Sequence, residues 1–207
     1  MFQAALQEGK AFCREMHDRA DRYNRGPDDL RIFPGLMPIV GRSAAEAREK
    51  YEQLRELVDD EVGLRGVARL CGGLDIYQYP PDGPLPPLPP SNAARARQQM
   101  IVEMGRRGMT IRQIGRVLGM SQAHRVAYGT PAQLADDMQE WLEAGACDGF
   151  NLLFAHYPKP LEEFVGMVVP ELQRRGIFRT EYEGTTLRAN LGVPVPRNSF
   201  AREPVDA

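Results

Sequence analysis

Hydrophobic and polar positions change period most clearly between Arg125 and Phe154. Val126–Tyr128 is short, β-branched and aromatic, and Gly129 closes it, which predicts a strand. Thr130 then supplies an N-cap, Pro131 suits the first helical position, and Gln133 completes a capping box. Leu134, Met138, Trp141 and Leu142 follow at helical spacing and predict a helix with one apolar face, stopped by Gly145. Phe150–Phe154 is apolar apart from Asn151, the pattern of a strand covered on both faces as in parallel sheets. Strand, helix and strand in this order predict a right-handed βαβ crossover.

The same reading extends along the chain. Leu6, Cys13, Met16, Ala20 and Tyr23 recur at near-helical intervals, and Asn24-Arg25-Gly26-Pro27-Asp28 ends that helix in a turn. Leu30–Gly41 is extended and apolar, but Pro34 and Pro38 each remove a ladder donor and predict two short strand pieces around Gly35. Ser43 and Glu46 form a second capping box, opening a helix with Ala47, Tyr51, Leu54 and Val58 on its apolar face. From about Asp59 to Gln122 the alternation breaks. Tyr79–Pro90 holds seven prolines and predicts an irregular or polyproline-type loop. Asn92–Arg107 is helical with an Arg-rich side (Arg95, Arg97, Arg106, Arg107), read as a solvated face. Thr110 caps a further short helix ending near Gly119. Pro160–Arg175 predicts a last helix, kinked or restarted at Pro170 and stopped by Gly176. From Tyr182 onwards the chain reads as a surface wrap or frayed end.

Composition narrows the picture without deciding it. With 43% hydrophobic and 26% charged residues and a formal charge of −2, the chain reads as an ordinary globular protein with no electrostatic pull toward nucleic acid or anionic membrane. Three scattered cysteines without C-x-x-C spacing argue for reduced thiols and a cytoplasmic location. No membrane span or signal peptide is expected. The three histidines do not sit at metal-ligand spacing, and no metal site is expected.

Three phrases carry a family resemblance: IFPGLMPIVGRSAAEAREKYEQL, then GMTIRQIGRVLG…HRVAYGTPAQLADDMQEWLEAGACDGFNLL, then VVPELQRRGIFRTEYEGTTLRANLG. In this order they resemble the C-terminal half of the FMN-dependent, bacterial-luciferase-like monooxygenases typified by the nitrilotriacetate monooxygenase large component. The resemblance implies a partial (β/α)8 barrel, an α/β fold made of about the last three βα units. Residues 1–181 would form this partial barrel, with a helical, proline-containing insertion at about 59–122, and residues 182–207 a C-terminal extension. It also implies reduced FMN as cofactor, a separate flavin reductase to supply it, dioxygen as oxidant and a small organic substrate. A second chain completing the barrel is a further expected partner.

In such barrels the chemistry sits at the carboxyl ends of the strands. His156 and Tyr157 follow the second predicted strand directly and are candidates for the wall of a flavin or substrate pocket, or for a loop packing on the last helix. Tyr128 faces either the pocket or the packing layers. His124 and Arg125 precede the first strand. They belong to the opposite, stabilising face if the strand starts at Val126, and reach the flavin edge if the strand is short and they are part of an overhanging loop. His156 and His124 are thus the catalytic candidates, and Tyr157, Tyr128 and Arg125 the cofactor-binding ones. Asp136, Asp137, Glu162 and Glu163 read as helix-dipole partners in solvent.

Two other classes compete. A catalytically silent partner subunit would keep the fold without a flavin site. A helix-turn-helix reader of DNA would use TIRQIGRVLGMSQAHRVAYG, with Gln122–Ala127 as its recognition helix, but the acidic balance lacks the expected footprint.

Overall fold

The fold is built on a parallel sheet of three strands, β1 (Gly35–Val40), β2 (Arg125–Gly129) and β3 (Asn151–Leu152), in the order β2-β1-β3. The computed structural model describes residues 3–90 and 95–195. Met37 lies opposite Val126 and Ile39 opposite Tyr128, while Gly35 lies opposite Asn151. The helix between β2 and β3 is therefore a crossover, as expected, but it passes over β1 instead of joining neighbours.

Two strand expectations are corrected. Leu30–Gly41 yields one strand, not two pieces, and it is the central one despite Pro38. The ladder explains why. Asn151 and Leu153 donate to the carbonyls of Pro34 and Leu36 at 3.0 and 2.9 Å, so even-numbered positions of β1 face β3. β3 ends at Leu152, and Pro38 sits beyond it, where a missing N–H costs no ladder bond. The strand covered on both faces is β1, buried from Leu36 to Val40, whereas β3 is two residues long with Asn151 exposed.

Local signals set the helices. α6 (Pro131–Glu143) begins on the complete Thr130–Gln133 box and is followed by left-handed Gly145, φ 66°. α7 (Lys159–Glu163) runs through a π-helical turn, Phe164–Val168, into α8 (Val169–Arg174), and Gly176 ends it at φ 72°. The expected break at Pro170 is taken up by this π turn, which rearranges the hydrogen-bond ladder beside the proline. Leu134, Ala135, Met138, Phe164, Val168 and Leu172 pack with Leu36, Val40 and Ala127 into one core. Burying each large apolar side chain there contributes roughly 2 kcal/mol, more than the ~0–1 kcal/mol of an exposed ion pair.

α1 (Gln3–Asp21) lies against α6, so close at Gly9 that a Cβ there would come within 2.9 Å of the Trp141 ring. α2 (Ala44–Glu56) starts on Ser43, whose Oγ accepts the Glu46 N–H; the Glu46 carboxylate accepts the Arg42 N–H, so the expected box is only half formed. Between α2 and β2 stand α3 (Asp60–Ala68), α4 (Arg95–Arg106) and α5 (Ile111–Ser121). Val67, Cys71, Ile76, Ile101, Ile111, Ile114 and Leu118 form their separate core. Asp59 caps α3, a helix that the glycines at 63 and 66 obscured in the sequence. Near the C-terminus, α9 (Leu187–Asn190) is held by Arg31, which donates to the carbonyls of Leu191 and Gly192. Residues 92–94 of the expected Arg-rich helix and 196–207 of the expected wrap lie outside the described residues. No described helix is long and apolar enough to cross a membrane.

Candidate functional site

The carboxyl ends of β1 and β2 open toward two shallow hollows. One, of about 270 Å³, is lined by Tyr128, Gly129, Gln133, Leu134 and Asp137. The other, of about 250 Å³, lies among Arg42, Glu46, Lys159, Glu163 and Gly166. Between them, a Cβ on Gly41 would sit 2.3 Å from the Ala47 nitrogen, so only glycine lets α2 start this close to the end of β1.

Tyr128, at 42% exposure, is stacked on Tyr51 of α2 with ring centroids 4.7 Å apart and planes 18° from parallel. Burial pushes the Tyr51 hydroxyl above its ordinary pKa. His156 and Tyr157 are both exposed beyond β3, and the Tyr157 ring meets Phe154 edge-on at 5.8 Å. Tyr128, His156 and Tyr157 thus follow the chain toward the carboxyl ends of the strands.

His124 and Arg125 sit at the other end. The strand begins at Arg125, and the His124 ring lies on Gly35, where a Cβ would be 2.2 Å from its Nδ1. Arg125 donates from Nη1 to both Asp137 oxygens at 2.8 and 2.7 Å. Its guanidinium also lies 4.4 Å from the Trp141 ring centroid. Both partners of this ion pair are only 14% exposed, so Asp137 is an internal counter-charge and not the solvated dipole partner expected from its place on α6.

Lys50 enters the site only through the tertiary structure. Its ammonium donates to the Val40 carbonyl at 2.9 Å, to Glu163 at 3.0 and 3.1 Å, and lies 3.0 Å from Glu46. Partial burial works against that charge, but the Glu163 and Glu46 carboxylates outweigh it and raise its pKa. Lys50 thereby closes the free carbonyl of β1 just past the end of β3. Glu163 is correspondingly an internal partner and not a solvated helix-dipole charge; only a lysine four residues after Glu46 hinted at part of this network.

The thiols are poor nucleophiles. Cys13, Cys71 and Cys147 are buried and unbridged, and burial pushes Cys147 up to about 11. Among the described residues no group of histidine, cysteine and acidic side chains is placed to hold a metal. The helix-turn-helix reading loses its second helix: Gln122 and Ala123 are left-handed, and β2 begins at Arg125.

No family model matches the chain. It is 42% identical over 202 residues to nitrilotriacetate monooxygenase component A of Aminobacter aminovorans, covering 97% of this chain and 45% of that protein. It is also 42% identical to the N-acetyl-S-(2-succino)cysteine monooxygenase of Bacillus subtilis, over 95% of this chain and 45% of the relative. The chain is similar to one part of these monooxygenases over nearly its whole length. It spans about half the length of the curated relatives it matches. In three dimensions it is similar to the crystal structure of DmoA from Hyphomicrobium sulfonivorans, with a TM-score of 0.76 and 26% identity. That match takes in 90% of this chain and 39% of DmoA.

Proposed function

We propose that the chain is part of an FMN-dependent monooxygenase that oxidises a small organic substrate with dioxygen in the cytoplasm, using reduced flavin from a separate reductase. On this reading the sheet is a section of a (β/α)8 barrel, and residues 59–122 are an insertion into it. The observation that carries the reading is the placement of both hollows and of exposed Tyr128 at the carboxyl ends of parallel strands. Barrels of this class put their chemistry there.

The residues present fit one wall of a flavin site. Each hollow, at about 250 and 270 Å³, falls below the ~300 Å³ at which small-molecule sites begin. The remaining wall must come from the part of the fold that the relatives have beyond this chain. Bound reduced FMN would supply the electrons that activate dioxygen. Tyr128, backed by Tyr51, offers a held aromatic face to a flat ring. Tyr157 and His156 border the same end, with an imidazole available for proton transfer to or from the substrate. Arg125 supports the wall from behind by fixing Asp137, and His124 by packing on Gly35.

The test is an FMN titration, followed by flavin fluorescence, of the chain alone and of the chain assembled with the rest of a relative's fold. Saturable micromolar binding is expected only in the assembly, weakened about tenfold by Tyr128→Ala through lost ring stacking. Assembly without flavin binding, or full affinity in the Tyr128→Ala variant, would sink the reading.

A further inference from the structure

We propose that the hollow at the carboxyl ends of β1 and β3 is an anion subsite, where Arg42 and Lys159 hold a carboxylate arm of the substrate. The inference rests on the monooxygenase reading above and narrows its substrate to acidic compounds. Arg42 stands just past the end of β1, and Lys159 opens α7. Because β1 and β3 are parallel neighbours, the segments that follow them emerge at one end of the sheet. Arg42 and Lys159 meet there in the hollow of about 250 Å³, with Glu46, Glu162, Glu163 and Gly166.

Charge pairing singles out the two cations. Glu46 accepts the Arg42 backbone N–H at 2.9 Å and lies 3.0 Å from the Lys50 ammonium. Glu163 takes that same ammonium on both oxygens, at 3.1 and 3.0 Å. Two of the three carboxylates lining the hollow are thus engaged, and the Lys50 bond holds the Glu46 carboxyl below its ordinary pKa. Arg42 and Lys159 are exposed. Among the described residues, neither the Arg42 guanidinium nor the Lys159 ammonium makes an ion pair with a carboxylate. Glu162 opposes them, which leaves the hollow positive by one charge.

The geometry suits a small anionic arm. A guanidinium offers a planar fork to two carboxylate oxygens, and an ammonium adds an adaptable point charge. Gly166 of the π turn presents no side chain, and a Cβ there would meet no atom within 4 Å, so the mouth stays open. At this volume the hollow takes a substituent and not a whole ligand. A single excess positive charge matches one carboxylate. A phosphate, at roughly −1.5 to −2, would face Glu162 with charge left uncompensated. Neutral and purely apolar substrates gain nothing from either cation.

The experiment titrates the full chain, without flavin, with the tricarboxylate tricarballylate, and follows the Arg42 Nε–H and Lys159 side-chain resonances. Separate arms use inorganic phosphate and the neutral triamide of the same acid. With no flavin present, failure of FMN binding and failure of this subsite are separate results. Saturable binding with a roughly millimolar Kd is expected. Arg42→Gln should weaken it about tenfold through loss of a charge-assisted fork, and Lys159→Gln about threefold. Arg42→Gln keeps the backbone N–H that Glu46 accepts, so the start of α2 stays intact. Arg48→Gln, at an exposed cation on the same helix outside the hollow, should change nothing. No saturable shift, equal binding of the triamide, or an affinity indifferent to Arg42→Gln overturns the proposal. So does phosphate binding tighter than tricarballylate with the same dependence on Arg42, which would assign the hollow to a phosphate group.

Discussion

In the helical region between α2 and β2, α3 and α5 cross so closely that a Cβ on Gly115 would come within 2.8 Å of the Gly63 backbone. Around the sheet, by contrast, no strand covers one edge among the described residues, and Tyr128, Tyr157 and Val165 are exposed. The helical region also ties its rim together: Arg112 bridges Asp60 of α3 and Asp82 of the proline loop, and Arg116 joins Asp60 at 3.2 Å. It closes its core from its own residues. The sheet has a well-packed helix layer but, among the described residues, one uncovered edge. The difference teaches that the helical region is closed by its own residues, whereas the sheet leaves apolar side chains exposed and one edge uncovered among the described residues.

This contrast breaks if the two regions lose structure together. Ile114→Ala, a fully buried site in the helical core, should cost about 3 kcal/mol. Far-UV circular dichroism should report the loss at lower denaturant than the emission of Trp141, the single tryptophan, which stands on α6. Coincident transitions would mean one cooperative unit. Arg125→Met should do the reverse. It leaves Asp137 enclosed without its counter-charge, also costing about 3 kcal/mol, and Trp141 emission should move first. Gly115→Ala sharpens the comparison at about 2 kcal/mol, because two backbones must separate to admit a methyl group. A midpoint shift confined to the dichroism signal is the expected result.

Smaller effects test the caps and the polar seam. Thr110→Ala and Thr130→Ala remove equivalent N-caps and should each cost about 1 kcal/mol, the first in the helical region and the second at the sheet. The ion pairs to Arg174 and Arg175 pull the Glu171 carboxyl down to about 2 from 4.5. Because the folded pKa is depressed, its contribution is fully present above pH 4.5 and fades as the pH falls through about 2. Melting temperatures of the protein and of Glu171→Gln should therefore differ at pH 5 and converge near pH 2. A constant difference across that window would contradict the pairing.

Much of the candidate site was legible in order but not in partners. The position of His156 and Tyr157 after a strand, and of Tyr128 within one, follows from local pattern. That Tyr51 would back Tyr128 does not, because the two lie on elements 77 positions apart in sequence. By sequence Asp137 reads as solvated, since a carboxylate on an amphipathic helix usually is; only the approach of Arg125 and Trp141 makes it an internal charge. Lys50 carries no sequence signal for the same reason, its main ligands being a strand carbonyl and a glutamate 113 residues away.

The sequence by itself determined where helices begin and end, because capping and left-handed stops are written within a few residues: Thr110, Thr130, Gly145 and Gly176 act as their local chemistry dictates. It also carried the resemblance to the monooxygenases. Tertiary structure decided that β1 would be the middle strand, that Pro38 would be tolerated there, that β3 would stop at two residues, and which edge would remain open. Those outcomes depend on which backbone groups find partners across long stretches of chain, and a hydrophobic run such as Phe150–Phe154 carries its preference for burial without naming the neighbour that provides it.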